Sequence, residues 1–183
     1  MKIPKQAKKV FDGVVFDVYQ WPQELFDKSI ATYEMLKRKN TVEIIPIMDD
    51  KICLIYEEQP TLPVAYSVVG GQQDFDETPL DCAKRELLEE TGLASNDWEL
   101  IKEFDPYNKI EWTISRFIAR NCQKVAEQNL DPGEKIELRP VAFDEFMKIM
   151  VSDRFRSQDV TADILKMIHF GKFEEFKNKL FKK

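Results

Sequence analysis

The chain has one histidine and three cysteines in 183 residues. His169 sits in an apolar stretch near the C-terminus and reads as a structural or exposed residue, so a mechanism that needs a histidine base is disfavoured. Cys53, Cys82 and Cys122 are odd in number and share no metal-ligand spacing. They read as free thiols, which suits a reducing cytoplasm. No apolar run approaches the ~20 residues that span a bilayer. Residues 1–9 are basic, but no apolar segment follows them, which argues against a signal peptide. No internal repeat or low-complexity stretch stands out. Positive charge is in short supply: 27 Lys and Arg against 33 Asp and Glu leave a net charge of −6 at pH 7. That balance disfavours a large nonspecific nucleic-acid surface, so neither a stable nucleic-acid partner nor a membrane is expected. A phosphate substrate remains compatible, because a bound metal supplies positive charge locally.

What is present describes an ordinary globular chain, with 43% hydrophobic and 33% charged residues. The length suits one domain with appendages. Mixed β-branched and aromatic residues over 10–21 and 30–36 predict strands of an N-terminal β extension, residues 1–40. A core over 41–150 opens with strands at 42–48 and 52–56 around an Asp49-Asp50-Lys51 turn. A short strand at 66–69 leads into Gly70-Gly71. Further strands are expected at 98–104, 112–119 and 135–142, with turns at 105–108 and 130–133. Helices are expected at 143–151, 158–170 and 173–181, the last two forming a C-terminal unit, 151–183, on the same domain. The order of elements predicts an α/β fold with a mixed sheet between helices.

Residues 71–93 carry the chemistry. Thr78 is a good N-cap with Asp81 three residues on, Pro79 suits the first helical position, and Gly92 suits a left-handed stop. Leu80, Ala83 and Leu87 follow the spacing of a buried stripe. Glu86 and Glu90 fall on one edge of that stripe, with Glu89 beside them. Carboxylates held this close repel unless a cation sits among them. A hard divalent ion such as Mg²⁺, with Mn²⁺ as a substitute, prefers such oxygen ligands and often shares them with substrate phosphates.

This stretch resembles the Nudix signature at every fixed position: Gly71, Glu77, Arg85, Glu86, Leu87, Glu89, Glu90, Gly92 and Leu93. The resemblance implies an α/β/α sandwich and a hydrolase that cleaves the pyrophosphate of a nucleoside diphosphate linked to another group. It implies metal ligands at Glu86, Glu89 and Glu90 and at the Gly70 carbonyl. Arg85 would orient the glutamates, Glu77 would pin the loop through Arg85, and Gly71 would permit the tight turn. Glu134, in an acidic loop before the last core strand, would be the general base.

The N-terminal segment, Tyr56 to Pro60 and Ser157 to Ala162 resemble the ADP-ribose and nucleotide-sugar branch. The resemblance implies ADP-ribose or a related nucleotide sugar as substrate, AMP and a sugar phosphate as products, and a homodimer as assembly. The chain departs from that branch at Val69-Gly70-Gly71, where Pro-Ala-Gly is usual, and at Ser67, where a glutamate is usual. Two other readings stand beside it: a nucleoside triphosphate or dinucleoside polyphosphate hydrolase, and a non-catalytic nucleotide-binding module. Phe11, Tyr19, Trp21, Tyr107 and Trp112 are aromatic enough to stack on a base, but each reads first as packing.

Overall fold

A computed structural model describes residues 2–182 of the chain. The outermost positions of the expected terminal units, 1 and 183, lie outside the described residues.

The core is a six-stranded mixed sheet. Its strands are β4 (Thr41–Met48), β5 (Lys51–Gln59), β6 (Leu62–Ser67), β8 (Asp97–Phe104), β10 (Ile114–Arg120) and β12 (Lys135–Val141). The order is β12-β5-β4-β10-β8, with β6 added against β5. β4 and β10 run parallel, while the other pairs are antiparallel. Between β4 and β5, Asp49 and Asp50 both take positive φ, 51° and 57°. Two consecutive left-handed residues make the tight hairpin turn that matches strand twist, and aspartate tolerates that conformation.

Strand alternation sends side chains to two separate cores. Val42, Ile44, Cys53, Ile55, Phe117 and Ala119 pack against helix α1 (Pro79–Thr91). Ile45, Ile47, Ile52, Leu54 and Ile118 face the other way, onto α2 (Phe143–Ile149), α3 (Gln158–His169) and α4 (Phe173–Leu180). The sheet is therefore sandwiched between helices, as expected. A second sheet holds β1 (Lys8–Phe11), β2 (Asp17–Glu24), β3 (Ile30–Lys37) and the two-residue β9 (Ile110–Glu111), the last parallel to β3. Residues 36–41 are laced to residues 109–113 by backbone bonds from Leu36, Arg38 and Thr41. That lacing fixes the N-terminal sheet to the end of β4.

Three details differ from the sequence reading. The strand expected at 66–69 is β6, Leu62–Ser67. After Ser67 the chain leaves β5 and crosses to β4, where Val69 and Gly71 carbonyls accept from Ile44 and Val42 at 2.7 and 3.0 Å. The strand expected at 112–119 begins only at Ile114, and residues 110–111 just before it pair with β3. Finally, β7 (Leu93–Ala94) pairs with β11 (Gln123–Lys124). Elements of two residues carry no periodicity to detect.

Candidate active site

The crossing from β6 to β4 delivers residues 69–72 to the open end of the sheet, beside α1. Thr78 Oγ1 accepts from the Asp81 amide at 3.1 Å and caps the helix. Gly92 closes it with φ 67°, its amide donating to Leu88 O at 2.7 Å. A side chain at Gly92 would strike the Ala126 carbonyl, so this helix end fits tightly against the following loop.

Between those caps, Arg85 ties loop to helix. Its Nε and Nη2 donate to Glu77 at 2.6 and 3.0 Å, Nη1 to Glu86 and Glu89 at 2.8 and 3.0 Å, and Nη2 also to the Gln72 carbonyl at 3.0 Å. A planar fork is the group that can satisfy three carboxylates and a carbonyl at once. Its hydrogen bonds hold the Glu77 carboxyl down to about 2. Those same bonds, Glu77 foremost, push the Arg85 guanidinium up.

The other acids are pushed the opposite way. Glu90 is 6% exposed, and its side chain accepts one bond, from the Gly70 amide at 3.3 Å. Burial raises its carboxyl well above the usual range, and the Glu86 charge adds to this. Burial likewise raises Glu86, against the pull of Arg85 and with Glu89 and Glu134 adding. Glu134 is raised by burial, with Asp131, Glu57 and Glu89 adding. Mutual repulsion among enclosed carboxylates is the condition that a hard divalent ion relieves, so this donor set fits Mg²⁺ or Mn²⁺. Among the described residues, no three acids are already drawn into a ligating cluster. Arg85 accounts for that, since it holds Glu86 and Glu89 on its own nitrogens. A bound cation would compete with Arg85 for both.

Gly70, Gly71, Arg85, Glu86, Glu89, Glu90 and Glu134 all line one cleft of ≈ 920 Å³. Glu77 and Gly92 do not line it; they act through Arg85 and through the helix end. His169 is exposed and lies outside that lining. Tyr107 and Trp112 face the cleft, whereas Trp21 is buried and Phe11 exposed elsewhere.

Several residues in or beside the cleft escaped the sequence reading. Arg156 lines it and is paired with Glu57 on β5, which is 8% exposed and lies outside the lining. Glu43 on β4 is bound at 2.7 Å by the buried Arg116, which also pairs with Asp159 and Asp163 of α3. Burial pushes Glu43 up to about 7, against the attraction of Arg116. Arg38 also lines the cleft. The one signal for Glu43 was an acid inside an otherwise apolar strand, which marks a paired buried charge; Glu57, beside Glu58 and Gln59 at the polar end of β5, carried none.

Three comparisons bear on this arrangement. The NUDIX domain family matches residues 37–161. The mRNA-decapping protein g5R of African swine fever virus is 28% identical over 93 residues, in each of two isolates. That match covers 48% of this chain but 38% of the viral protein, so the chain spans well under half of that relative's length. The solved structure of an ADP compounds hydrolase superposes with a TM-score of 0.74 at 21% identity, covering 92% of this chain and 95% of the other. That likeness supports the fold.

Proposed function

Because the chain belongs to the NUDIX domain family, we propose that it hydrolyses the pyrophosphate of a nucleoside diphosphate linked to another group, with ADP-ribose or a related nucleotide sugar as the substrate class. The observation that carries this reading is the enclosure of Glu86, Glu90 and Glu134 in one cleft, where burial raises the proton affinity of each and neighbouring acids add to it. Resemblance to an ADP compounds hydrolase over nearly the whole length supports the substrate class.

Mg²⁺ held by Glu86, Glu89, Glu90 and the Gly70 carbonyl would neutralise phosphate charge and lower the pKa of a bound water. This chain's own residues do the rest. Arg85 orients Glu86 and Glu89. Glu77 keeps Arg85 in place and so pins residues 72–77 to α1. Glu134 takes the proton of the attacking water, its raised pKa bringing it nearer the working pH. Products would be AMP and a sugar phosphate.

A second reading, hydrolysis of a capped RNA end or another dinucleoside polyphosphate, has the viral decapping protein in its favour. The net charge of −6 counts against a long RNA ligand.

A homodimer is proposed as the assembly. Edge strand β1 is exposed throughout, with Val10 and Phe11 on it and Val14 just after it open to solvent, and Phe26 and Ile30 are exposed at the β2–β3 turn of the same sheet. An unpaired edge of that kind invites a partner strand. Light scattering at twice the single-chain mass supports it, and a single-chain mass at micromolar concentration rejects it. No helix among the described residues is long and apolar enough to cross a membrane. Three buried free thiols suit a cytoplasmic setting.

The deciding experiment is phosphate release, coupled to a phosphatase, over a panel of nucleotide derivatives with Mg²⁺ and Mn²⁺ varied. AMP from ADP-ribose, abolished by chelator and reduced on the order of 10³-fold in Glu86→Gln and Glu90→Gln, supports the proposal. No turnover of any panel member by the parent chain favours a binding module.

A further inference from the structure

One cation of the cleft has no anion. Lys39 pairs with Asp74 at 2.8 Å, Arg85 with Glu77, Glu86 and Glu89, and Arg156 with Glu57. Arg38 also lines the cleft, yet among the described residues its side chain makes neither an ion pair nor a hydrogen bond, and its Nε is buried without a partner. A partly buried guanidinium without a counter-charge is costly.

Arg38 is nevertheless held in position. Its Cζ lies 4.3 Å from the Trp112 ring centroid and 5.6 Å from that of Phe16. Trp112 is itself fixed, donating from Nε1 to Thr41 Oγ1 at 3.0 Å and stacking on Tyr107 with centroids 6.2 Å apart at 24°. The Arg38 amide donates to the Glu111 carbonyl at 3.3 Å. With Arg38 over the indole and Tyr107 stacked on it, Trp112 is already engaged. What the group offers a ligand is the guanidinium, whose fork matches phosphate oxygens.

The acidic residues of the same lining cannot serve that purpose. Glu86, Glu89, Glu90 and Glu134 repel phosphate wherever a cation does not intervene. Arg38 stands four residues before Val42, whose amide is bonded to Gly71. Four residues of backbone span at most about 14 Å, so the cation and the acidic wall face a single ligand-sized cleft.

We propose that Arg38 is the anion-binding residue of the cleft, receiving the substrate phosphate that lies away from the carboxylate wall. This assignment rests on the nucleoside diphosphate reading given above. Arg38→Met keeps the aliphatic packing on Trp112 and removes the charge; Arg38→Lys keeps a charge without the fork. Calorimetry with Mg²⁺ measures ADP and adenosine binding to the parent and to both variants, and melting temperatures verify the fold. ADP should weaken roughly ten- to hundred-fold in R38M and recover partly in R38K, while adenosine changes by less than about twofold. AMP replaces adenosine where adenosine binding is too weak to measure, and should then lose less than ADP. Where R38M lowers the melting temperature, R38K against the parent carries the comparison. Unchanged ADP binding overturns the assignment, as does an equal loss for adenosine, which would make Arg38 a contact for the base. A parent chain that neither binds nor hydrolyses any diphosphate overturns the functional reading itself. A working parent matched by an equally tight R38M overturns the Arg38 assignment alone.

Discussion

The Glu86 carboxylate occupies the space that a side chain at position 71 would take. A Cβ built on Gly71 collides with the Glu86 carboxyl carbon and both of its oxygens. The loop glycine is therefore what lets an enclosed acid of α1 reach the cleft.

Gly71→Ala should displace Glu86 while leaving the two cores untouched. Hydrolysis should fall on the order of 10²-fold, the cost of misplacing a catalytic group by about 1 Å. The melting temperature should change far less. Full activity in the variant would show that Glu86 can work from another position.

Arg85→Lys removes a fork that serves Glu77, Glu86, Glu89 and the Gln72 carbonyl together. A single ammonium cannot satisfy all four. Hydrolysis and Mg²⁺ affinity should each drop about 10- to 100-fold, the range seen when the partners of metal ligands are lost. Calorimetric titration of Mg²⁺ into parent and variant tests it. Equal affinities would mean the clamp is structural only.

The buried thiols give a second kind of test, on pH; Cys53 and Cys122 lie away from the site, whereas Cys82 accepts from Arg85 Nη2 at 3.5 Å. Burial pushes Cys53 and Cys82 up to about 12 and Cys122 to about 11, from an ordinary 9.0. Folded values above unfolded ones mean that the protonated thiols add stability below about pH 9. That stability is lost as pH climbs from about 9 toward 12. Between pH 7 and 9 a maleimide should label the native chain roughly a hundred-fold or more slower than the chain in urea. Rapid labelling of the native protein at pH 8 would contradict this burial.

The site was legible from the sequence where local rules govern it. Thr78, Pro79 and Gly92 bound the helix, and the spacing of Glu86, Glu89 and Glu90 placed them at its border with the cleft. The hairpin at Asp49-Asp50 was equally local. What the sequence hid depends on long-range pairing. Residues 112–113 drop out of the expected strand where the two residues before them pair with β3, and that lacing is what brings Arg38 onto Trp112. Glu57 meets Arg156 across 99 positions, and no periodicity announces such a partner. Ser67, where a glutamate is usual in the ADP-ribose branch, instead makes a hydrogen bond with Ser157 at 3.0 Å, again a contact that strand order alone creates.

The charge cluster between the sheet and α3, whose Glu43 and Asp159 also line the cleft, shows how the helical layer is registered. Arg116, with 3% of its side chain exposed, meets Glu43, Asp159 and Asp163, and Lys102 binds Asp163 at 2.6 Å. Three acids face two cations, so removing Arg116 leaves enclosed negative charge with little to offset it. Arg116→Met should destabilise the fold by about 3–5 kcal/mol, because the penalty lies in the stranded carboxylates and not in lost packing. Adding Glu43→Gln and Asp163→Asn to that variant should recover a good part of the loss, since neutral amides carry no desolvated charge. Urea unfolding at pH 7 measures all three chains. A single variant within about 1 kcal/mol of the parent would mean that water reaches the cluster and screens it, as it does for pairs at the surface.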